Sequence, residues 1–506
     1  TDHERHDARR AGLIYLVATH TGTLALFGMF AMWGAYAGDW TFASLGVAAG
    51  ALPARGAAVL LLAGAGFGLK VGVVPFHFWL PPAHAAAPSH VSALLSGVVI
   101  KTGVYGVLRV MTLLGATPAW WGWTVLTLGV ASGVLGVLWA RAQHDLKRLL
   151  AYHSVENIGI ILMGIGIGAL GATYGYPSIA VIGYAGALLH TLNHALFKSL
   201  LFLGAGAVQR ATGTRDMEAL GGLAKPMPLT WAAFLVGATA IVGLPPLNGF
   251  VSEWLVYQGL LRSGQLDAAM RLAMLGVPAL ALIGALALAC FAKAAGIVFL
   301  GQPRSAAAAT AREGAAGLLT PMFVIAGVCL TLGVAAPLGV SPALRVAATF
   351  VPLSDAARAE VRTLAVQAAW IGVVASGLIL ALVAGWLLMR ALRRRRSVRL
   401  AETWGCGYDM PNARMQYTAS SYAAPLLSAF GKLSGVRTDA SERAFHTTPR
   451  DLVLDGIGLP LWESIRRTAL RMRALQQGRL YVYLIYVLAA LLALLIFLAI
   501  DARVRS

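Results

Sequence analysis

Apolar runs, each long enough for a helix across a bilayer, recur along almost the whole chain and are separated by short polar connections. They fall at about 11–37, 55–76, 91–115, 119–141, 149–171, 178–208, 228–261, 272–300, 317–340, 363–391 and 480–500. A hydrocarbon core of about 30 Å takes roughly 20 residues at 1.5 Å each, so the pattern predicts about eleven spans. Inside a bilayer every backbone N–H and C=O must find a partner within the protein, which a helix provides and an open sheet does not. The predicted fold class is therefore all-α, a polytopic transmembrane helical bundle.

Two runs interrupt their own hydrophobicity. Residues 68–84 read GLKVGVVPFHFWLPPAH and residues 243–255 read GLPPLNGFVSEWL. Proline in a span removes an amide donor and frees a carbonyl, which is tolerated only where protein or cavity water satisfies the exposed groups. Each break lies beside a charge, Lys70 in the first and Glu253 in the second. Paired Pro/Gly-interrupted helices in two halves of a chain mark inverted-repeat transporters, with ion sites at the breaks. The pairing is imperfect, because Lys70 precedes its prolines while Glu253 follows its own. Prolines that bend two helices for packing are the alternative reading, and on either one the bundle has two discontinuous helices.

Composition excludes a soluble domain with one core: 58% of residues are hydrophobic, 12% are charged, and the mean hydropathy is +0.72. A formal charge of +19 would suggest nucleic acid in a soluble protein, but the arginines here cluster in short loops. The basic stretches 141–148, 209–225, 302–312 and 393–399 fall on one side if the spans alternate, and the run 393–396 is the densest. By the positive-inside rule that side is the cytoplasm, which also holds the N-terminus. The expected location is the inner (plasma) membrane, multi-pass, with the lipid bilayer and not nucleic acid as a partner. The loop 341–362 carries both signs and falls outside. Residues 1–10 also carry both signs, with no recognisable cleavable signal peptide. Cys290, Cys329 and Cys406 are too few and too scattered for an iron–sulfur or zinc site. No cofactor, metal or catalytic residue is expected, and any redox chemistry belongs to other chains.

Against thirty-three arginines there are only seven lysines, and their positions are informative. Lys147, Lys225 and Lys432 lie among polar residues, whereas Lys70, Lys101, Lys198 and Lys293 lie inside apolar runs. A charge at a bilayer centre costs roughly 2.5–3.5 kcal/mol on insertion scales, so intramembrane lysines point to function. Lys101 sits at least ten residues from either end of its run, which makes snorkelling to an interface awkward. Burial disfavours an ammonium, so an amine so placed can take and release protons. His190, His194 and Lys198 are spaced four apart and share one helix face, a pattern that suits a proton wire. Two histidines at this spacing also suit zinc, but no third ligand is evident nearby, and a lone histidine is more often a hydrogen-bonded packing residue. Glu253 is the acidic group well inside an apolar run. Lys293, seven residues from Leu300, is close enough to the cytoplasmic end to snorkel. Asp145, Lys147 and Arg148 read as a charged loop, with His153 and Glu156 just inside the next span as a place where protons could enter. The candidate proton-translocation residues are thus Lys70, Lys101, His190, His194, Lys198 and Glu253, with Glu156 and Lys293 as possible additions.

KVGVVPFHFWLPPAHAAAPSHVSALLSGVVIKTGVYG, DLKRLLAYHSVENIG, HTLNHALFKSLLFLGAG and GLPPLNGFVSEW together resemble the antiporter-like subunits of respiratory complex I and of Mrp cation antiporters. The tail ETWGCGYDMPNARMQYTASSYAAPL, residues 402–426, resembles the large antiporter-like subunit of membrane-bound nickel–iron hydrogenases of the hydrogenase-4 component B and formate hydrogenlyase type. The resemblance covers nearly the whole chain. It implies a partial inverted repeat of the complex I antiporter-like fold, with Lys70 on the first broken helix, Lys101 as the next mid-membrane lysine, Lys198 in the following half-channel and Glu253 as the exit residue on the second broken helix. It further implies protons hopping along this line, driven by electron transfer in attached hydrophilic subunits. Family members carry further helices before the point matching Ala11, including a glutamate that pairs with the broken-helix lysine, and no carboxylate here fills that place. The first repeat is then incomplete unless more of this polypeptide or another one supplies it. The expected domains are an N-terminally incomplete antiporter-like membrane domain, 1–350, and a C-terminal extension, 351–506. The extension holds two transmembrane helices and a basic cytoplasmic segment, with 460–477 as an amphipathic helix along the membrane or partner subunits.

The expected function is a proton-translocating membrane subunit of an energy-converting hydrogenase or complex I-like assembly, whose partners are its other membrane and hydrophilic subunits. Rival readings are a subunit of an Mrp-type cation/proton antiporter and a non-conducting membrane anchor of a hydrogenase. The tail motif argues against the first and the intramembrane lysines against the second.

Overall fold

The computed structural model describes residues 4–48, 56–115, 117–394, 407–408, 410, 412, 415–440, 445–473, 478 and 480–505. The chain divides into two compact units, Thr1–Arg450 and Asp451–Ser506. In the first, α1 (His6–Ala37) and α2 (Phe42–Ala48) precede α3 (Gly56–Val71), and beyond a break lies α4 (Leu80–Ala86). α5 (Ser89–Leu94), a wide π turn at Leu95–Val99 and α6 (Ile100–Leu114) form one span. Next come α7 (Ala119–Ala142), α8 (Leu146–Thr173) and α9 (Pro177–Thr212), then the second broken pair, α10 (Pro228–Ile241) and α11 (Asn248–Ser263). The unit continues through α12 (Ala268–Ala273), α13 (Gly276–Phe299), α14 (Ala306–Ala309), α15 (Ala316–Val334), α16 (Pro337–Ala347), α17 (Asp355–Arg394) and α18 (Ala419–Ala429). It closes with an antiparallel hairpin, β1 (Val436–Ala440) and β2 (Phe445–Pro449), in which Val436 faces Pro449. The second unit holds a π turn, Leu454–Gly458, followed by α19 (Leu459–Met472) and α20 (Leu480–Arg505).

Among the described residues, nine helical stretches are long and apolar enough to cross a membrane, and the shorter apolar helices Gly56–Val71 and Pro228–Ile241 are the leading halves of the broken pairs. The protein is a polytopic all-α membrane bundle with two discontinuous helices. α17 packs against α9, α15 and α16 within the first unit.

α8 is the axis of the first unit and is buried almost from end to end. Small residues let its neighbours close on it: a methyl group on Gly159 would stand 2.4 Å from Gly133 N of α7. Backbones this close gain dispersion contact without a hydrophobic driving force, as membrane helices require. A methyl on Gly136 would lie 2.7 Å from Glu156 N, so this crossing also fixes where Glu156 sits. α20, by contrast, is exposed on every described side chain except Val482.

The basic stretches 141–148, 209–225 and 302–312 meet on one face. Leu146 N donates to Arg215 O at 3.0 Å, Arg215 pairs with Asp145 at 3.1 Å, and Arg304 Nη1 donates to Leu220 O at 2.7 Å. The tail helix α18 docks there through its N-terminus, where Ser420 N and Oγ both donate to Glu218 at 2.8 Å. A carboxylate at a helix N-terminus satisfies orphan amides and complements the dipole. Of the run 393–396 only Arg393 and Arg394 lie within the described residues. The opening of the tail motif, 402–406 with Cys406, lies outside them, as does 474–477 at the end of the expected amphipathic segment. α19 covers the rest of that segment, with Glu463 and Arg466 paired at 2.8 Å on its polar side.

Candidate functional site

The second break is built by close backbone approach. Gly243 adopts a left-handed conformation (φ 71°) that turns the chain after α10. Gly249 crosses the end of α10 so tightly that a methyl there would lie 1.8 Å from Ala240 O. One turn further along α11, Glu253 folds back on the break: a methyl on Gly243 would stand 2.6 Å from Glu253 Oε2. Glu253 is 8% exposed. Two asparagines lock the far side, with Asn193 Nδ2 donating to Asn248 O at 2.7 Å and Asn248 Nδ2 donating to Asn193 Oδ1 at 3.1 Å.

Ser252 then couples α11 to His190 of α9. His190 Nδ1 lies 2.9 Å from Ser252 Oγ, while its Nε2 donates to Asn157 Oδ1 at 3.1 Å. Ser252 Oγ also accepts from Asn193 Nδ2 at 3.0 Å and lies 3.0 Å from Gly249 O. The hydroxyl has one proton and two acceptors, His190 Nδ1 and Gly249 O. A neutral imidazole accepts it; a charged one donates to Oγ while the hydroxyl turns to Gly249 O. His190 can therefore gain or lose a proton without leaving a buried polar atom unpaired, which is what a relay needs and a packing histidine does not.

From Asn157 the polar line continues along α8. Asn157 Nδ2 donates to Glu156 Oε2 at 3.3 Å, and His153 Nδ1 is hydrogen-bonded to the same carboxylate oxygen. Lys198 donates to Leu150 O, and its ammonium sits 5.0 Å from the centre of the Phe202 ring. Lys101 donates to Ser96 O in the π turn, a local geometry frequent at functional sites. Ser96 and Ser154 hydroxyls meet at 2.9 Å and tie that turn to α8. Lys101 and Lys198, Lys198 and Glu156, and Glu156 and Glu253 are each near enough to interact electrostatically. All of these are buried except Lys101, which is partly buried. His194 completes the stripe on α9, fully buried with its ring 5.5 Å from Phe197 and no hydrogen bond among the described residues.

Two candidates sit elsewhere. Lys70 is exposed on the last turn of α3 and makes no hydrogen bond or ion pair with a described residue. Lys293 does not snorkel: it is fully buried and donates to Arg141 O and, at 2.8 Å, to Gln143 O, closing the C-terminus of α7. A cation on orphan carbonyls is a helix cap with the dipole in its favour.

Sequence reading missed the neutral members, Asn157, Asn193, Asn248 and Ser252, and two ionisable ones, His84 and Lys147, both buried. The signal for the first group was available, since Asn193 lies between His190 and His194 and Asn157 is one turn beyond His153. For Lys147 it was not, because its neighbours in sequence are charged.

A membrane bundle with two broken helices and a buried line of lysine, histidine and glutamate defines an antiporter-like membrane protein. Residues 2–277 match the family described as NADH:quinone oxidoreductase/Mrp antiporter, transmembrane, and the chain belongs to it. It is 39% identical to hydrogenase-4 component B of Escherichia coli (strain K12) over 97% of this chain and 76% of that protein. It is 40% identical to formate hydrogenlyase subunit 3 of the same organism over 76% of this chain and 62% of that one. Its fold matches a chain of the archaeal membrane-bound sulfane sulfur reductase with a TM-score of 0.74 over 96% of this chain and 76% of that chain, at 23% identity.

Proposed function

We propose that this antiporter-like, proton-translocating subunit of an energy-converting membrane complex carries protons along Lys101, Lys198, Glu156, His190 and Glu253, with His194 beside the line. The observation that carries the reading is the two-way hydrogen bonding of His190, which keeps partners in both protonation states. Protons enter the line at the lysines and leave at Glu253, against the second break. Lys70 joins it where a further element covers the exposed end of α3. Lys293 holds the α7 end in place beside the line.

The partners are the hydrophilic and membrane subunits of a hydrogenase-4 or formate hydrogenlyase type complex, and the site of action is the cell's inner membrane. The match to hydrogenase-4 component B over almost the whole chain supports this assignment above that of a cation/proton antiporter subunit. An anchor that conducts nothing would have no use for an intramembrane lysine and glutamate, whose insertion is costly.

In inverted membrane vesicles holding the intact complex, Lys101→Ala should abolish hydrogen-coupled acidification while hydrogenase activity with an artificial acceptor stays near wild type. Normal acidification in that variant removes Lys101 from the path.

A further inference from the structure

The relay as drawn leaves two buried ionisable groups unused, and both lie between it and the basic face. Lys147, in the first turn of α8, is 1% exposed. Its N–H donates to the N-cap carboxylate of Asp145 at 2.8 Å, and its ammonium donates to Ala87 O just beyond α4. Arg215 reaches the same stretch at Ala85 O and pairs with Asp145 at 3.1 Å. Asp145 and Arg215 also line a polar cavity of about 630 Å³ on the basic face, with His144, Arg148, Asp216 and Glu218. The aqueous side therefore comes within one turn of helix of Lys147.

One residue before Ala85 is His84. It is fully buried, stacked on Phe202 at 4.8 Å between ring centres, and neither ring nitrogen has a hydrogen-bond partner among the described residues. Lys198 rests against the same phenyl ring at 5.0 Å. His84 thus shares the Phe202 ring with Lys198, lies three residues from the carbonyl that Lys147 holds, and is near enough to Lys101 to interact with it electrostatically. Two buried ring nitrogens without a protein partner are rare unless water or a transferable proton visits them.

We infer that Lys147 and His84 form a loading branch, which takes protons from the basic-face cavity and delivers them to Lys198 and Lys101. A hydrated proton is taken by the Lys147 amine, the ammonium gives it to one His84 nitrogen, and the imidazolium gives it to a lysine amine of the line. Each step moves one proton, and Lys147 and His84 return to their starting states. This inference rests on the relay proposed above and adds the side from which it is filled.

If Lys147 only tethers Ala87, arginine will serve, since it keeps the cation and the donor; as a carrier it fails, because a guanidinium does not release its proton in proteins. The test is acidification of inverted vesicles by the intact complex, with Lys147→Arg, His84→Gln and Lys101→Ala side by side, electron transfer to an artificial acceptor as the control and membrane content of the chain as the check on folding. Lys147→Arg and His84→Gln should each slow proton transfer at least tenfold with electron transfer intact. Wild-type rates in either variant at normal membrane content overturn the branch. Should Lys147→Arg fail to accumulate, His84→Gln decides alone. A blocked Lys101→Ala beside two freely pumping branch variants sinks only the branch, whereas a pumping Lys101→Ala sinks the relay itself.

Discussion

The two breaks in the bundle are made by the same device and end in opposite settings. Each follows an apolar half-helix with a left-handed glycine, Gly72 (φ 78°) after α3 and Gly243 (φ 71°) after α10, and each carries prolines and an adjacent charge. Around the second, α9 and α15 close in, so that Glu253 is sealed against the turn and a methyl on Gly333 would lie 2.0 Å from Pro246 O. Around the first, Lys70 is exposed, Leu61 on the same helix is 62% exposed and Tyr105 of α6 is 64% exposed. The break supplies unpaired backbone and a charge; packing decides whether these become a site. Here the second is finished within the chain, and the first presents its lysine outward.

The largest expected effect tests the closure of the second break. Gly249→Ala places a carbon 1.8 Å from Ala240 O, an overlap that only backbone movement relieves. It should destabilise the bundle by about 3 kcal/mol or prevent assembly. Gly72→Ala meets the end of the Leu80 side chain at 2.7 Å and a strained φ, and should cost about 1–2 kcal/mol. Thermal unfolding of the two variants in detergent measures the difference, and equal losses would mean that the two breaks are equally closed.

The next test separates the two charges. Glu253→Gln should lower the proton yield of the complex at least tenfold, because its carboxyl stands at the end of the line. Lys70→Cys should react readily with a maleimide in the chain purified away from its partners and be protected in the intact complex. Equal reactivity in both would show that nothing covers the first break, and would remove Lys70 from the relay.

A smaller effect belongs to the neutral residues that serve the line. Ser252→Ala deletes the hydroxyl that pairs with both states of His190, a loss of about 1–1.5 kcal/mol in one of those states. Proton transfer should slow roughly tenfold, with recovery in Ser252→Thr. An unchanged rate in the alanine variant would return His190 to a packing role.

How much of this the sequence carries depends on which physics is at work. Span positions follow from apolar length, and the broken helices from proline and glycine. The stripe His190, His194 and Lys198 follows from helical period, and these groups are indeed brought to one buried face of α9. Depth is harder to read. Lys70 and Lys293 both lie in apolar runs, the second near enough to an end to snorkel; instead the first is exposed and the second is a buried cap on α7, because exposure depends on which helix packs where. Lys147 errs in the opposite direction: it sits in a charged stretch, yet α4 and the loop after it cover its ammonium. The neutral side chains that join the charges carry no charge signal at all, and only the crossing of α8, α9 and α11 brings them together.

The smallest expected effect lies at the far end of α11. Asp267 caps α12 by accepting from Met270 N at 2.9 Å, and it accepts from the Tyr176 hydroxyl, also at 2.9 Å, at the start of α9. These contacts, the Met270 amide first and then Tyr176, hold the exposed Asp267 carboxyl below its usual range. A carboxyl depressed in the folded state stabilises above its unfolded value, and that contribution fades as pH falls through the folded one. Asp267→Asn should therefore melt slightly earlier than wild type at pH 7, with the gap closing in acid below about pH 3. The clasp joins α9 to the segment following α11, away from the break and the line, so its loss should lower the melting temperature more than it lowers proton yield. If the gap instead widened in acid, the clasp would owe its strength to something other than the ionised carboxylate.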